Sequence, residues 1–196
     1  MAKKITEPLA VPTSQELEQE LERVRHQRRY FSVLRSTVFS LISASAIVVL
    51  ICVLVMPVLR IYGSSMEPTL TDGDIVICLK NADFTTGDLI GFYYNNKILV
   101  KRVIATSGDW VNIDSVGNVS VNDHRIDEPY IYEKSLGDGD ITFPYQVPEN
   151  RLFVLGDHRA TSVDSRSSVV GCASQEQVVG KIVFRIWPLS SMGFLN

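Results

Sequence analysis

The sequence predicts a mostly β domain tethered by a single N-terminal transmembrane helix. Three observations carry that expectation. Residues 36–59 hold no ionisable side chain except Cys52. Beyond residue 60, runs of β-branched and aromatic residues alternate with turn signals. No long helical period appears there. The chain has 196 residues and a formal net charge of −3. That balance excludes a large basic nucleic-acid surface and equally a disordered acidic composition.

The first dozen residues, with Pro8 and Pro12, read as a disordered tail. Thr13 or Ser14 then caps a charged helix through about Arg35, in which Leu17, Leu21 and Val24 fall at helical spacing and acidic residues precede basic ones. Residues 1–35 are thus expected as a cytoplasmic tail and charged helix. From Ser36 to Leu59 run 24 residues bounded by Arg35 and Arg60. At 1.5 Å per residue they span roughly 36 Å, enough to cross a hydrocarbon core of about 30 Å. A cleaved leader would have a shorter charged region and an apolar stretch of roughly 7–15 residues.

Orientation follows from the flanks. Lys3, Lys4, Arg23, Arg25, Arg28, Arg29 and Arg35 precede the span, whereas Arg60 and Lys80 are the first basic residues after it. The positive-inside rule puts the N-terminus in the cytoplasm and residues 60–196 outside. That outer segment carries 12 Lys/Arg against 17 Asp/Glu and is long enough to bury one substantial core. Cys78 and Cys172 lie in it, where a disulfide is permitted but not implied.

Strands are expected at Asp74–Leu79, Asp88–Tyr94, Ile98–Ala105, Trp110–Ile113, Val119–Val121, Arg151–Leu155 and Val178–Trp187. Turns fall at Thr71-Asp72-Gly73, Asn95-Asn96, Ser107-Gly108 and Asn122-Asp123. Long loops are left around residues 133–140 and 159–177.

Three stretches combine small, hydroxyl and charged residues. The first is Tyr62-Gly63-Ser64-Ser65-Met66-Glu67-Pro68-Thr69-Leu70, just past the span. The second is Val100-Lys101-Arg102-Val103-Ile104-Ala105, two basic residues inside an apolar strand. Side chains alternate along a strand, so either Lys101 or Arg102 must point to a buried side or an edge cleft. The third is Gly156-Asp157-His158-Arg159-Ala160-Thr161-Ser162-Val163-Asp164-Ser165-Arg166. Each alone also fits a linker, a surface lysine or a self-paired turn.

Together the three stretches resemble the bacterial type I signal peptidases, membrane-bound Ser/Lys enzymes that remove signal peptides from exported proteins. Ser65, Met66, Pro68, Thr69 and Leu70 match the family's S-M-x-P-T-L motif. Lys101, Arg102 and Val103 match K-R-V, continued by Gly108-Asp109. Gly156, Asp157, Arg159, Ser162, Asp164, Ser165 and Arg166 match G-D-N-R-x-x-S-x-D-S-R. The resemblance implies Ser65, rather than the adjacent Ser64, as nucleophile and Lys101 as general base. It implies that Ser162 orients the lysine, that Asp164 and Arg166 pair in support of the site, and that Asp157 and Arg159 shape the same loop. It also implies a β-rich extracytoplasmic catalytic domain, precursor proteins bearing signal peptides as partners, a lipid bilayer as anchor, and no nucleic acid, metal or cofactor. Two positions depart from the common pattern. His158 stands where many relatives have Asn, and Gly63 stands where Gram-negative relatives carry a serine; the glycine, the single span and the short outer domain resemble Gram-positive members.

The chemistry sets a clear demand. A lysine accepts a proton only when neutral, which requires lowering its pKa from about 10.4 to roughly 7–8 by burial among apolar neighbours. Ile98, Leu99, Val100, Val103 and Ile104 supply such neighbours. A Ser/His pair is the alternative: His26 lies before the span, His124 falls in an expected turn, and only His158 is near the other motifs. Two other functions also remain open at this level, a peptidase dedicated to one partner such as a pilin or conjugation protein, and a silent membrane-tethered peptide-binding domain.

Overall fold

The computed structural model describes residues 13–80 and 83–195. The expected N-terminal tail at residues 1–12 lies outside them. The chain divides after Ile51 into a helical unit and a β-rich unit.

One helix, α1 (Ser14–Val55), accounts for the first unit and the start of the second. It is long and apolar enough to cross a membrane. None of its side chains is buried, and Val38, Phe39, Leu41, Ile42 and Ile47 through Ile51 all stand open. In water so continuous an apolar surface is unfavourable; in hydrocarbon it is not. The helix stops at Val55, short of the expected boundary at Leu59. The reason is Pro57, which lacks an N–H and disfavours helical geometry in Met56 before it. The stretch from Ser36 to Val55 still spans about 30 Å at 1.5 Å per residue, the thickness of a hydrocarbon core.

Twelve strands follow: β1 (Val58–Arg60), β2 (Ile75–Leu79), β3 (Leu89–Tyr94), β4 (Lys97–Ala105), β5 (Trp110–Ile113), β6 (Val119–Val121), β7 (His124–Arg125), β8 (Tyr145–Gln146), β9 (Arg151–Leu155), β10 (Ala173–Ser174), β11 (Val178–Trp187) and β12 (Gly193–Phe194). All seven expected strands are present, several to the residue. The five others are two or three residues long. The larger sheet runs β1-β2-β11-β3-β4-β9-β10 with β12 added to β11, and the smaller runs β7-β6-β5-β8. Every pairing is antiparallel. His124, expected in a turn, belongs to β7.

Turn chemistry fixes the register that matters. Asn95 and Asn96, with φ of 43° and 61°, close the β3–β4 hairpin, and left-handed geometry at both central residues matches the strand twist. The register thereby pairs Ile90 with Lys101 and Leu89 with Arg102. On its other edge β4 joins β9 only from Arg102 onward, through Arg102–Leu155 and Val103–Val154. The loop that leaves β9 at Gly156 therefore starts beside Lys101.

Apolar burial is organised around the same elements. Ile61, Met66, Leu70, Val76, Cys78, Leu89 and Ile182 form one cluster under the loop between β1 and β2. A second, with Ile104, Val111, Ile113, Phe153 and Leu155, packs the ends of β4 and β9 against residues of the small sheet. Cys78 and Cys172 are both buried free thiols. Burial pushes the Cys78 thiol up to about 12.

Candidate active site

Ser65 is held by the residues that follow it. Met66 and Leu70 are both buried in the cluster beneath, and Leu70 N–H donates to the Met66 carbonyl at 2.9 Å, which folds the segment into one turn. The base of the loop is closed where Ile61 N–H donates to Asp74 and Gly73 N–H donates to Ile61, at 2.8 and 3.0 Å. Asp72 accepts from Gly63 N–H at 2.8 Å, so the turn before the serine is tied to the turn after it. Gly63 has φ of +84°, a conformation that side-chain-bearing residues rarely adopt. Ser64 is exposed on this loop, whereas Ser65 is half-buried.

The alternation of β4 sends its two basic residues to opposite faces, and both point to buried sites. Lys101 is 3 % exposed. Its Nζ lies 2.9 Å from Ser65 Oγ and 3.0 Å from Ser162 Oγ. Burial lowers its pKa from 10.5 to about 8; Asp164 and Asp157 push it up and Arg166 pushes it down, and burial prevails. Arg102 makes a two-pronged ion pair with Asp157 at 2.9 and 2.7 Å, donates to the Gly87 carbonyl, and lies 3.8 Å from the Tyr130 ring centre. Thr69 donates to the same Asp157 carboxylate at 2.5 Å. Arg102 and Asp157 thus couple the serine loop, β4 and the loop after β9.

That third loop is wound tightly around its own charges. Asp164 pairs with Arg166 at 2.8 Å and accepts from Gly156 N–H at 3.0 Å. Arg166 also donates to the carbonyls of Ser135, Leu136, Arg159 and Ser162. Arg159 pairs with Glu128, a partner from outside the three motifs. His158 N–H donates to the Ser65 carbonyl at 3.1 Å, and Ser162 N–H donates to the His158 carbonyl at 3.1 Å. The structure therefore brings Ser65, Lys101 and Ser162 into contact, with Asp164 and Arg166 immediately behind. Asp157 turns out to face Arg102, and Arg159 to face Glu128.

Among the described residues no histidine bonds the Ser65 hydroxyl or pairs with a carboxylate. His26 and His124 are exposed, and the Nδ1 of His158 is buried without a partner. No group of three or more His, Cys, Asp or Glu among them is placed to hold a metal ion.

Sequence reasoning missed Gly156, Thr69, Asp72, Glu128 and Tyr130. Gly156 and Thr69 stood in the motifs without an assigned task. Nothing local marked Glu128 or Tyr130.

A cleft of about 700 Å³ opens at Ser65 and Lys101. One wall is the chain from β1 through Gly63, the other is residues 96–101 around the start of β4. Comparison with known proteins bears on this arrangement directly. The family model described as "Signal peptidase, peptidase S26" matches residues 34–187, most of the chain and all three motifs. The chain belongs to this signal peptidase family. Relatives include signal peptidase IB of Staphylococcus aureus strain MRSA252, 37% identical over 154 residues, covering 68% of this chain and 79% of that one. Signal peptidase I of Bacillus caldolyticus is 37% identical over 149 residues, covering 67% and 80%. A crystal structure of a signal peptidase I from Enterococcus faecalis V583 aligns with TM-score 0.42 and 27% identity, over 51% of this chain and 97% of the other. As a member of the signal peptidase family, the chain is a serine endopeptidase, and its apolar helix anchors it in a membrane.

Proposed function

We propose that this peptidase removes signal peptides from exported precursors, with Ser65 as nucleophile and neutral Lys101 as general base, on the outer surface of the membrane that α1 crosses. The observation that carries the reading is the position of Lys101 Nζ: buried, and within hydrogen-bond distance of two hydroxyls. Burial disfavours the ammonium, and with a pKa of about 8 roughly a tenth of the molecules carry a neutral amine at pH 7. That amine takes the Ser65 proton as Oγ attacks the scissile carbonyl, and returns it to the departing amine. Water, deprotonated by the same lysine, then resolves the acyl-enzyme. Ser162 holds Nζ in line. Arg166 fixes Ser162 by donating to its carbonyl, and Asp164 ties the start of the same loop by accepting from Gly156 N–H.

Two backbone edges support binding of an extended substrate. β1 is the outermost strand of its sheet, and β4 before Arg102 pairs only with β3. Both edges line the cleft, so an extended chain laid between them finds main-chain partners on each side. Ile61, Leu99 and Val100 give the cleft around Ser65 an apolar lining, which suits apolar side chains before the cut. Ser65 N–H is the natural donor to the developing oxyanion, since Gly63 offers no hydroxyl. The outward orientation rests on Arg23, Arg25, Arg28, Arg29 and Arg35 preceding the apolar segment.

Detergent-solubilised protein incubated with several secretory precursors tests the proposal. Cleavage of many, lost in both Ser65→Ala and Lys101→Met, is the expected result. Cleavage that survives Lys101→Met removes the lysine from the mechanism.

A further inference from the structure

A second cavity of about 400 Å³ adjoins the same serine loop and is lined by Glu67, Pro68, Thr71, Tyr132, Glu133 and His158. It shares no lining residue with the first cleft. Ile61, Tyr62, Gly63, Ser65 and Met66 line the first, while Glu67, Pro68 and Thr71 line the second, so the loop changes cavities between Met66 and Glu67. The second cavity is also linked to the serine through His158 of its lining, whose N–H donates to the Ser65 carbonyl at 3.1 Å. A peptidase must accommodate chain on both sides of the bond it cuts, and an extended chain advances about 3.3 Å per residue. If the apolar cleft takes the signal peptide, the residues after the cut need a separate place within a few ångströms of Ser65.

We infer that the second cavity is the leaving-side subsite, which receives the first residues of the mature protein and favours basic over acidic side chains there. This rests on the reading of Ser65 as the nucleophile that cuts exported precursors. The preference comes from Glu67 and Glu133, which make no ion pair among the described residues. The cavity lining holds no lysine or arginine to offset them. Tyr132, 82 % exposed, offers a ring face to a cationic side chain or to the aliphatic stem of one. His158 brings the one buried side-chain polar atom among the described residues that has no protein partner. The first cleft differs in kind, being mostly apolar at Ile61, Leu99 and Val100. The two ends of the substrate thus meet different chemistry: an apolar lining before the cut, an acidic one after it.

The test uses the full-length protein in detergent and a set of precursors identical up to the cut, with Ala, Lys or Asp in the two positions after it. The Ala precursor reports the parent reading. With wild-type protein, kcat/KM for Lys over Asp should be about tenfold, the effect of exchanging opposite charges beside two partly exposed carboxylates. In the Glu67→Gln/Glu133→Gln variant the ratio should fall toward one, mainly through KM. Added salt should compress the wild-type ratio as well, by screening. That arm does not depend on the variant folding. A wild-type ratio near or below one, or a ratio unmoved by salt, overturns the subsite while cleavage of the Ala precursor leaves the nucleophile standing. Failure to cut the Ala precursor overturns both.

Discussion

Gly156 lies against Ser162 so closely that a Cβ at position 156 would fall 2.5 Å from both the Ser162 Cβ and the Ser65 carbonyl oxygen. Real Cβ atoms do not approach other heavy atoms to that distance, so a side chain there must displace Ser162, Ser65 or both. Those are the two hydroxyl-bearing residues that Lys101 Nζ contacts. The glycine at the mouth of the third loop is therefore a spatial requirement of the site. Gly156→Ala should lower kcat/KM on a precursor by about 100-fold or more, because misplacement of about 1 Å near reacting groups costs that much. Near-normal turnover in this variant would show that the loop can move aside without consequence.

Ser162→Ala removes one of the two acceptors of Lys101 and leaves the contact with Ser65. The amine should then sample orientations that do not face the nucleophile. We expect kcat to drop by about 10–100-fold, a part of the roughly 100–10,000-fold that a positioned general base contributes, with KM little changed. A rise in KM at constant kcat would instead place Ser162 in substrate binding.

The Arg102–Asp157 pair, 2 % and 0 % exposed, should be far more costly to break than an ion pair nearer the surface. Removing one member leaves the other charged and buried, at about 3–5 kcal/mol. Asp157→Ala should lower the thermal midpoint accordingly. Lys181→Ala, which breaks a pair 30 % and 13 % exposed, should cost less than about 1 kcal/mol of stability. Tryptophan fluorescence suits the measurement, since Trp110 and Trp187 both lie in the β-rich unit. Equal effects of the two substitutions would contradict the ranking.

Much of this architecture was legible from the chain. Seven strands could be read because β-branched and aromatic runs end at Gly, Asn and Asp, which supply the left-handed turns. The two-residue strands β7, β8, β10 and β12 were not, since two residues carry no period; they exist only because longer neighbours present an edge. β1 was absorbed into the expected membrane span, although Pro57 was the available signal. At the site, alternation required that Lys101 and Arg102 diverge but left open which was buried, and the fold buries both. The partners of Arg102 and Arg159 were illegible for another reason. Asp157 and Glu128 reach them through register and loop path, and neither is encoded near the arginine it pairs with.

Lys101 also predicts how stability depends on pH. An unfolded lysine keeps its proton up to about 10.5, whereas the folded one releases it near 8. Between those values the unfolded state binds more protons, so this group makes stability rise with pH through that window and contributes a constant penalty below it. The full effect is about 3 kcal/mol. The difference in unfolding midpoint between wild type and Lys101→Met isolates it from other groups, and should shrink in favour of the wild type from pH 8 to 10. A difference independent of pH would mean that Lys101 is not held neutral by burial.

The pH dependence of kcat/KM on a precursor tests the central claim, that a neutral Lys101 is the base, most directly. Rising pH should increase the rate through a single acid limb at about 8, unchanged in His158→Gln and absent with the activity itself in Lys101→Met. A limb near the ordinary histidine value of about 6.5 that vanishes in His158→Gln would contradict the account and return the serine to a histidine partner.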